Sequence, residues 1–280
     1  MPKAQPRISK RALIVGGGAL ATMAGGYPQA ANTEPFRGLK SANGMFDHTA
    51  FDAQLAKFAS ESHDGIVRVD YAAWKHSVIG WTDLRRYIDL LAAANPLNLS
   101  REEQFAFWTN LYNALTLDVV LAAYPVTSIR RIKPTFLSLG PWKKVVVRVA
   151  GVDLSLDAIE HGVLRRGWRG SRVHYAINCA SISCPNLPLR ARRGAGLSPA
   201  LDDAARAYVN HPRGVRFEGK ALVVSSIYKW YAADFGGSDA TTIQHLASFA
   251  AEPLRKRLET TWRISRDSYD WSLNDNSVRA

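Results

Sequence analysis

The sequence predicts an α+β fold: a mainly helical single domain with a central buried helix and short, mostly antiparallel strands. Three observations carry that expectation. Segments with apolar residues at i, i+4 and i+7 recur along the chain, the period of a helix with one buried face. Between them stand short runs in which apolar and polar residues alternate, joined through Gly-containing turns as in hairpins. One segment, Arg101 to Ala123, is apolar on nearly every side, as expected of a helix enclosed by protein.

Each element follows from its residues. Phe51, Leu55 and Phe58 predict a helix over Asp47 to Ala59, broken at Gly65. Val67, Val69 and Tyr71 alternate with Arg68 and Asp70, a short half-buried strand. Asp83 to Ala94 reads as a helix stopped by Asn95-Pro96. Ser100 and Glu103 make a capping box that opens the central helix, which Tyr124-Pro125 ends. Inside it Asn110 and Asn113 share a face; buried amides must be hydrogen-bonded, so they either brace a loop or line a polar site. Val145, Val147 and Val149 turn at Gly151 into Val152-Asp153-Leu154, a hairpin. A helix is expected from Ser155 to Arg165, then a strand from Arg172 to Asn178 with His174, Ala176 and Asn178 on one face. Ser198-Pro199 starts a helix to Val209 as N-cap and N1. Val215–Phe217 and Leu222–Val224 form a second hairpin, and helices follow over about Ser226–Ala233 and Thr241–Leu258.

Composition bounds the function. Among 280 residues, 47% are hydrophobic and 21% charged, which excludes a disordered chain, a collagen-like repeat and a coiled coil. Two cysteines exclude a disulfide scaffold and a four-cysteine zinc module. The net charge is +12, yet no zinc-finger, helix-turn-helix or aromatic-studded basic motif accompanies it, so no nucleic-acid partner is expected. A basic surface with weak attraction to anionic envelope polymers or lipid heads is the remaining consequence.

Residues 1–31 are a different material. Lys3, Arg7, Lys10 and Arg11 precede the uncharged, Gly- and Ala-rich stretch Ala12 to Gly26. A basic start followed by a weakly apolar run too short for a membrane span reads as an export signal. Ser9-Lys10-Arg11-Ala12-Leu13 resembles a twin-arginine signal with Lys for the first Arg. The expected organisation is therefore an export signal over 1–31, a linker over 32–45, a domain over 46–274 and a tail over 275–280, in a periplasmic or secreted protein.

The chemistry concentrates in His174-Tyr-Ala-Ile-Asn178-Cys179-Ala-Ser-Ile-Ser183-Cys184-Pro185, which holds both cysteines. Three readings compete there. One thiol is a nucleophile with His174 as its base, oriented by Glu160, Asn110, Asn113 or Asp234. On a continuing strand His174 and Cys179 would point to opposite faces roughly 16 Å apart, so this reading needs a sharp turn after Asn178. Alternatively the thiols form a disulfide, closing a loop worth roughly 2 kcal/mol on the chain-entropy model. Or His174, Cys179, Cys184 and His161 hold a metal, although H-x4-C-x4-C lacks the paired spacing of usual zinc sites. Purely structural roles stand beside all three, because free Cys is among the most often buried residue types.

Six segments together resemble the DUF547 family, a domain of unknown function. They are Gly65–Tyr71 (GIVRVDY), Phe107–Ala114 (FWTNLYNA), Leu154–His161 (LSLDAIEH), His174–Pro185, Ile227–Tyr231 (IYKWY) with Asp234-Phe-Gly236, and Tyr269–Asn274 (YDWSLN). The resemblance covers about residues 46–274. Ala180 departs from it, since the family more usually has Gly there. The resemblance implies Asn110, Asn113, Glu160, His174, Asn178, Cys179, Ser183, Cys184, Asp234 and Asp270 as site residues, and supplies no activity. Papain-like and transglutaminase-like enzymes place their nucleophile at the start of a central helix, but the helix here contains no cysteine.

The expected function is accordingly a hydrolase or acyl transferase using His174, Cys179, Cys184 and Glu160, with Asn110, Asn113, Asn178, Ser183, Asp234 and Asp270 as binding groups. The alternative is a non-catalytic module that captures a small molecule or peptide, with structural cysteines. No cofactor and no metal are expected.

Overall fold

The central helix organises the chain. In the computed structural model, which describes residues 36, 43–135 and 138–277, Arg101–Ala123 is buried without interruption from Glu103 to Leu117. The expected export segment, most of the expected linker and the last three residues lie outside the described residues.

In chain order the elements are α1 (Thr49–Phe58), β1 (Ala59–Glu61), β2 (Val67–Val69), α2 (Tyr71–His76), α3 (Gly80–Ala93) and α4 (Arg101–Ala123). Then come β3 (Val145–Val149), β4 (Val152–Ser155), a π-helix (Ala158–Leu164) running into α5 (Arg165–Gly167), and a 3₁₀ helix (Ser171–Tyr175). The rest are α6 (Leu197–Val209), β5 (Val215–Glu218), β6 (Ala221–Ser225), α7 (Ile227–Trp230), a 3₁₀ turn (Ala232–Phe235), α8 (Asp239–Phe249), α9 (Leu254–Glu259) and β7 (Arg266–Ser268). β1–β2, β3–β4 and β5–β6 are antiparallel, while β7 adds parallel to β6. The fold is thus the expected mixed α+β domain, with short strands carried by helices.

Apolar burial forms two adjoining cores. The larger surrounds α4 and takes in Phe51, Leu55, Trp74, Leu84, Leu154 and Ile159. The smaller joins α6, the β5–β6 hairpin and α8 through Tyr208, Val224, Tyr228 and Leu246. The segment from Val173 to Ile177 runs between them: Val173, Ala176 and Ile177 pack in the larger core and Tyr175 in the smaller.

That position explains the main correction to the sequence reading. Arg172–Asn178 is not a strand; Ser171–Tyr175 is a 3₁₀ helix and every residue from Val173 to Asn178 is buried. A short apolar run enclosed on all sides has no exposed face to reveal its period. The helix expected from Ser155 begins at Leu156, as expected within a residue, but turns to π type over Ala158–Leu164. π-turns concentrate at functional sites because they re-aim side chains. The helix expected over 241–258 breaks into α8 and α9 ahead of Pro253. The one expected over 226–233 is α7 followed by a 3₁₀ turn. Tyr71 opens α2 rather than ending a strand, because the Asp70 carboxylate caps that helix at the Ala73 N–H.

Tertiary partners also override two expected caps. Ser100 accepts from the Glu103 N–H, but the Glu103 carboxylate takes the Gly194 N–H at 2.8 Å instead of closing the capping box. Helix α6 starts at Leu197 after a left-handed Gly196, while the Ser198 hydroxyl accepts from Arg172 at 2.8 Å.

Candidate functional site

The loop after the 3₁₀ helix is held from the central helix. Asn113 Nδ2 donates to the Ala176 carbonyl at 3.1 Å, and its Oδ1 accepts the Asn178 N–H at 2.8 Å. One turn away Asn110 holds Arg192 the same way, giving to its carbonyl at 2.8 Å and taking its N–H at 3.0 Å. The two amides therefore brace loops. Asn178 turns the chain: its Oδ1 accepts the Ala180 N–H at 2.8 Å and its Nδ2 donates to the Pro185 carbonyl at 2.7 Å. Ala180 adopts a left-handed φ of 61° at that turn. This is the sharp reversal that a thiol site required.

The reversal brings the cysteines together. Both are free; Cys184 Sγ donates to Cys179 Sγ at 3.1 Å and accepts the Cys179 N–H at 3.0 Å. Ser181 Oγ and Tyr269 OH also lie 3.1 and 3.3 Å from Cys179 Sγ. The bond from Cys184 lowers the Cys179 pKa against burial, helped by Ser181 and Tyr269, while the charge of Glu160 opposes it. Burial, and then the bond it gives to Cys179, push Cys184 well above the ordinary thiol range. Cys179 is half-buried and Cys184 buried, so the residue with the more acidic thiol is the more exposed of the two.

Both thiols line a cavity of about 560 Å³ together with Glu160, His161 and His174. His174 stacks on Tyr231 with ring centroids 4.1 Å apart, and its Nε2 meets Asp234 Oδ2 at 2.7 Å. Arg165 reaches the same carboxylate oxygen at 2.6 Å. Burial would raise the pKa of Asp234, but the hydrogen bonds from His174 and Arg165 outweigh it and hold the carboxyl at about 2. Asp234 thus fixes the buried imidazole as a half-buried anion. Among the described residues, His174 Nδ1 has no hydrogen-bond partner and neither thiol bonds the ring.

Glu160 is placed by the π-helix. Its carboxylate lies 3.5 Å from Tyr112 OH. Burial first, and then its negative charge, push the phenols of Tyr112 and Tyr231 up. His161 is raised because its link to Asp157 and the acids Glu160 and Asp157 outweigh burial. Trp142, Trp230, Tyr269 and Trp271 form an aromatic wall, with Trp230 and Trp271 stacked at 5.5 Å. Among the described residues no group of three or more His, Cys, Asp or Glu side chains is placed to hold a metal ion.

Of the residues expected from sequence, the structure gathers His174, Cys179, Cys184 and Glu160 into one cavity, with Asp234 behind His174. Asn110, Asn113 and Asn178 hold backbone, and Ser183 Oγ accepts the Asp270 N–H at 2.8 Å. Asp270 is exposed and lines a separate hollow with Ile182 and Ser272. Tyr231, Tyr269, Trp271, Ser181 and Arg165 join the site without being expected there from the sequence. The alternation Tyr269-Asp270-Trp271 carried the signal for two of them, since neighbours two apart share a side and Asp270 takes the other. Arg165 carried none, because Arg165-Arg166 reads as a solvated basic pair.

Fold and site together define an α+β domain with a thiol-bearing, aromatic-walled cavity. Residues 96–209 match the model of a family described as "Protein of unknown function, DUF547", which supports the resemblance over that span. Glu160, His174, Cys179 and Cys184 fall within the match, whereas Tyr231, Asp234 and Tyr269 fall beyond it. No curated protein and no solved structure matches the chain. Among the described residues no helix is long and apolar enough to cross a membrane.

Proposed function

We propose that the cavity performs acyl transfer, to water or to another acceptor, with Cys179 as the nucleophile and His174 as the proton carrier. One observation carries the reading: a half-buried cysteine whose thiol is held acidic by three neighbours lines the same cavity as an imidazole fixed by a half-buried carboxylate. The thiolate attacks the substrate carbonyl carbon and the carbonyl electron pair moves to oxygen. Collapse of that intermediate leaves a thioester and expels the leaving group, which His174 protonates. His174 then takes a proton from water or the acceptor as it attacks the thioester, and the Cys179 thiolate is released. Asp234 orients the ring, the role of the third member of a triad. Glu160 and the aromatic wall bind the substrate.

The test uses fully reduced protein and a slowly deacylating activated ester. An acyl adduct on Cys179, lost in Cys179→Ala and formed but slowly turned over in His174→Ala, is the expected result. Absence of any adduct over a panel of esters and thioesters removes the proposal.

A second reading, ligand capture without chemistry, is favoured by the lack of any thiol–imidazole hydrogen bond among the described residues and by the aromatic wall. It predicts tight ligand binding that survives Cys179→Ala.

Export by a twin-arginine-type signal belongs to the same proposal, on the strength of residues 1–31. N-terminal sequencing of protein from its native host should show loss of roughly the first thirty residues. An intact Met1 on cytosolic protein overturns it.

A further inference from the structure

We propose that Cys179 and Cys184 form a dithiol site that exchanges with small-molecule disulfides, Cys179 attacking first and Cys184 resolving. The inference uses the same cavity but not the acyl-transfer reading. The sequence contains two cysteines, and the fold sets their sulfur atoms 3.1 Å apart. A disulfide is about 2.05 Å long, so closure needs an approach of roughly 1 Å, within reach of side-chain rotation. The loop is already folded for it: the Cys179 N–H sits on Cys184 Sγ at 3.0 Å, and Asn178 ties both ends through the Ala180 N–H and the Pro185 carbonyl.

Exposure sets the order of attack. Both cysteines line the cavity, but Cys179 is half-buried whereas Cys184 is only 5% exposed. Donors also favour that order, because Cys184, Ser181 and Tyr269 all lie on Cys179 Sγ and stabilise its thiolate. In the first step the Cys179 thiolate bonds to one sulfur of a disulfide RSSR and the other sulfur leaves as RS⁻. The Cys184 thiol then gives its proton to RS⁻ and attacks Cys179 Sγ, and the second RS⁻ leaves and is protonated by solvent. The sum is dithiol plus RSSR giving a protein disulfide and two RSH, a two-electron exchange that needs no further oxidant. The cavity, about 560 Å³, admits a small molecule to Cys179. Oxidation also removes the thiolate from the cavity.

The experiment treats reduced protein with oxidised glutathione at neutral pH and reads intact mass without reductant. Wild type should lose the mass of two hydrogens and carry no adduct. Cys184→Ser and Cys184→Ala should each accumulate one glutathione on Cys179, because the resolving thiol is gone. Cys179→Ser should stay unmodified over the same time. A stable glutathione adduct on wild type, disulfide-linked dimers, or no reaction of folded wild type would overturn the proposal. Two Cys184 variants guard against one that fails to fold, with the denaturant midpoint read for each. The acyl-transfer reading is tested under reductant and so stands or falls separately.

Discussion

Asn113 Oδ1 accepts the backbone N–H of Asn178 at 2.8 Å, across 65 residues of chain. The central helix thereby sets where the next residue, Cys179, stands. With its Nδ2 on the Ala176 carbonyl, one amide replaces two strand-like hydrogen bonds that the segment would otherwise lack.

Replacing Asn113 by Leu should cost about 2–3 kcal/mol, since two buried backbone groups lose their partners without water to replace it. The denaturant midpoint reads this. Thiol reactivity should change with it, because the turn at Asn178 loses its anchor. A midpoint shift within error, with unchanged alkylation of Cys179, would mean that the amide braces nothing.

Ala180 sits at φ 61°, a conformation that Gly adopts without a Cβ clash. Relief of that strain is worth about 1–2 kcal/mol and exceeds the extra unfolded-state entropy of Gly, roughly 0.5–1 kcal/mol. Ala180→Gly should therefore stabilise the protein by up to about 1 kcal/mol. Ala180→Val should destabilise it, because a β-branched side chain tolerates this region least. Thermal denaturation of the two variants decides the sign.

Thiol reactivity should depend on Cys184 more than on His174. Cys184, Ser181 and Tyr269 are the groups that lower Cys179, and among the described residues no hydrogen bond joins His174 to it. The rate–pH profile for alkylation of Cys179 should move to higher pH in Cys184→Ala and in Tyr269→Phe. In His174→Ala it should stay in place. A profile that moves with His174 instead would make the imidazole the activating group.

Asp234 gives an acid-stability signature. Its carboxyl is held at about 2 in the folded protein, below the ordinary value of 3.8. The unfolded chain therefore takes up the proton first on acidification. The associated stability, up to about 2 kcal/mol, is present above pH 4 and lost as the pH falls towards 2. Asp234→Asn should be less stable at pH 7 and should lose less between pH 4 and 2. Parallel curves for the two proteins in that window would contradict the arrangement.

His48 acts at higher pH. Burial first, and the charge of Arg193 second, depress it from 6.5 to about 4, and its Nδ1 lies 2.6 Å from Tyr87 OH. Its Nε2 is buried without a partner among the described residues. The unfolded chain binds this proton from about pH 6.5 downward, so stability should decline between pH 6.5 and 4 by up to about 3 kcal/mol. His48→Phe should flatten that limb in urea midpoints taken at each pH.

The sequence by itself determined the central helix, the two hairpins, the mixed α+β class and the segment that brings both cysteines to the cavity. Those features rest on local periodicity, on turn residues and on the concentration of reactive side chains between His174 and Pro185. It also offered Asp234 and Glu160, although not their different tasks. What only the tertiary structure decided is who touches whom across long stretches of chain: Asp234 on His174, 60 residues apart, and Tyr269 on Cys179, 90 apart. It decided that Asn110 and Asn113 hold backbone, that Asp270 faces away from the cavity, and that the segment before Cys179 coils as a 3₁₀ helix. The reason is physical. A residue's own pattern reports how often the chain meets the interior, whereas a polar partner is chosen by which buried groups the packing of two cores leaves within 3 Å of each other.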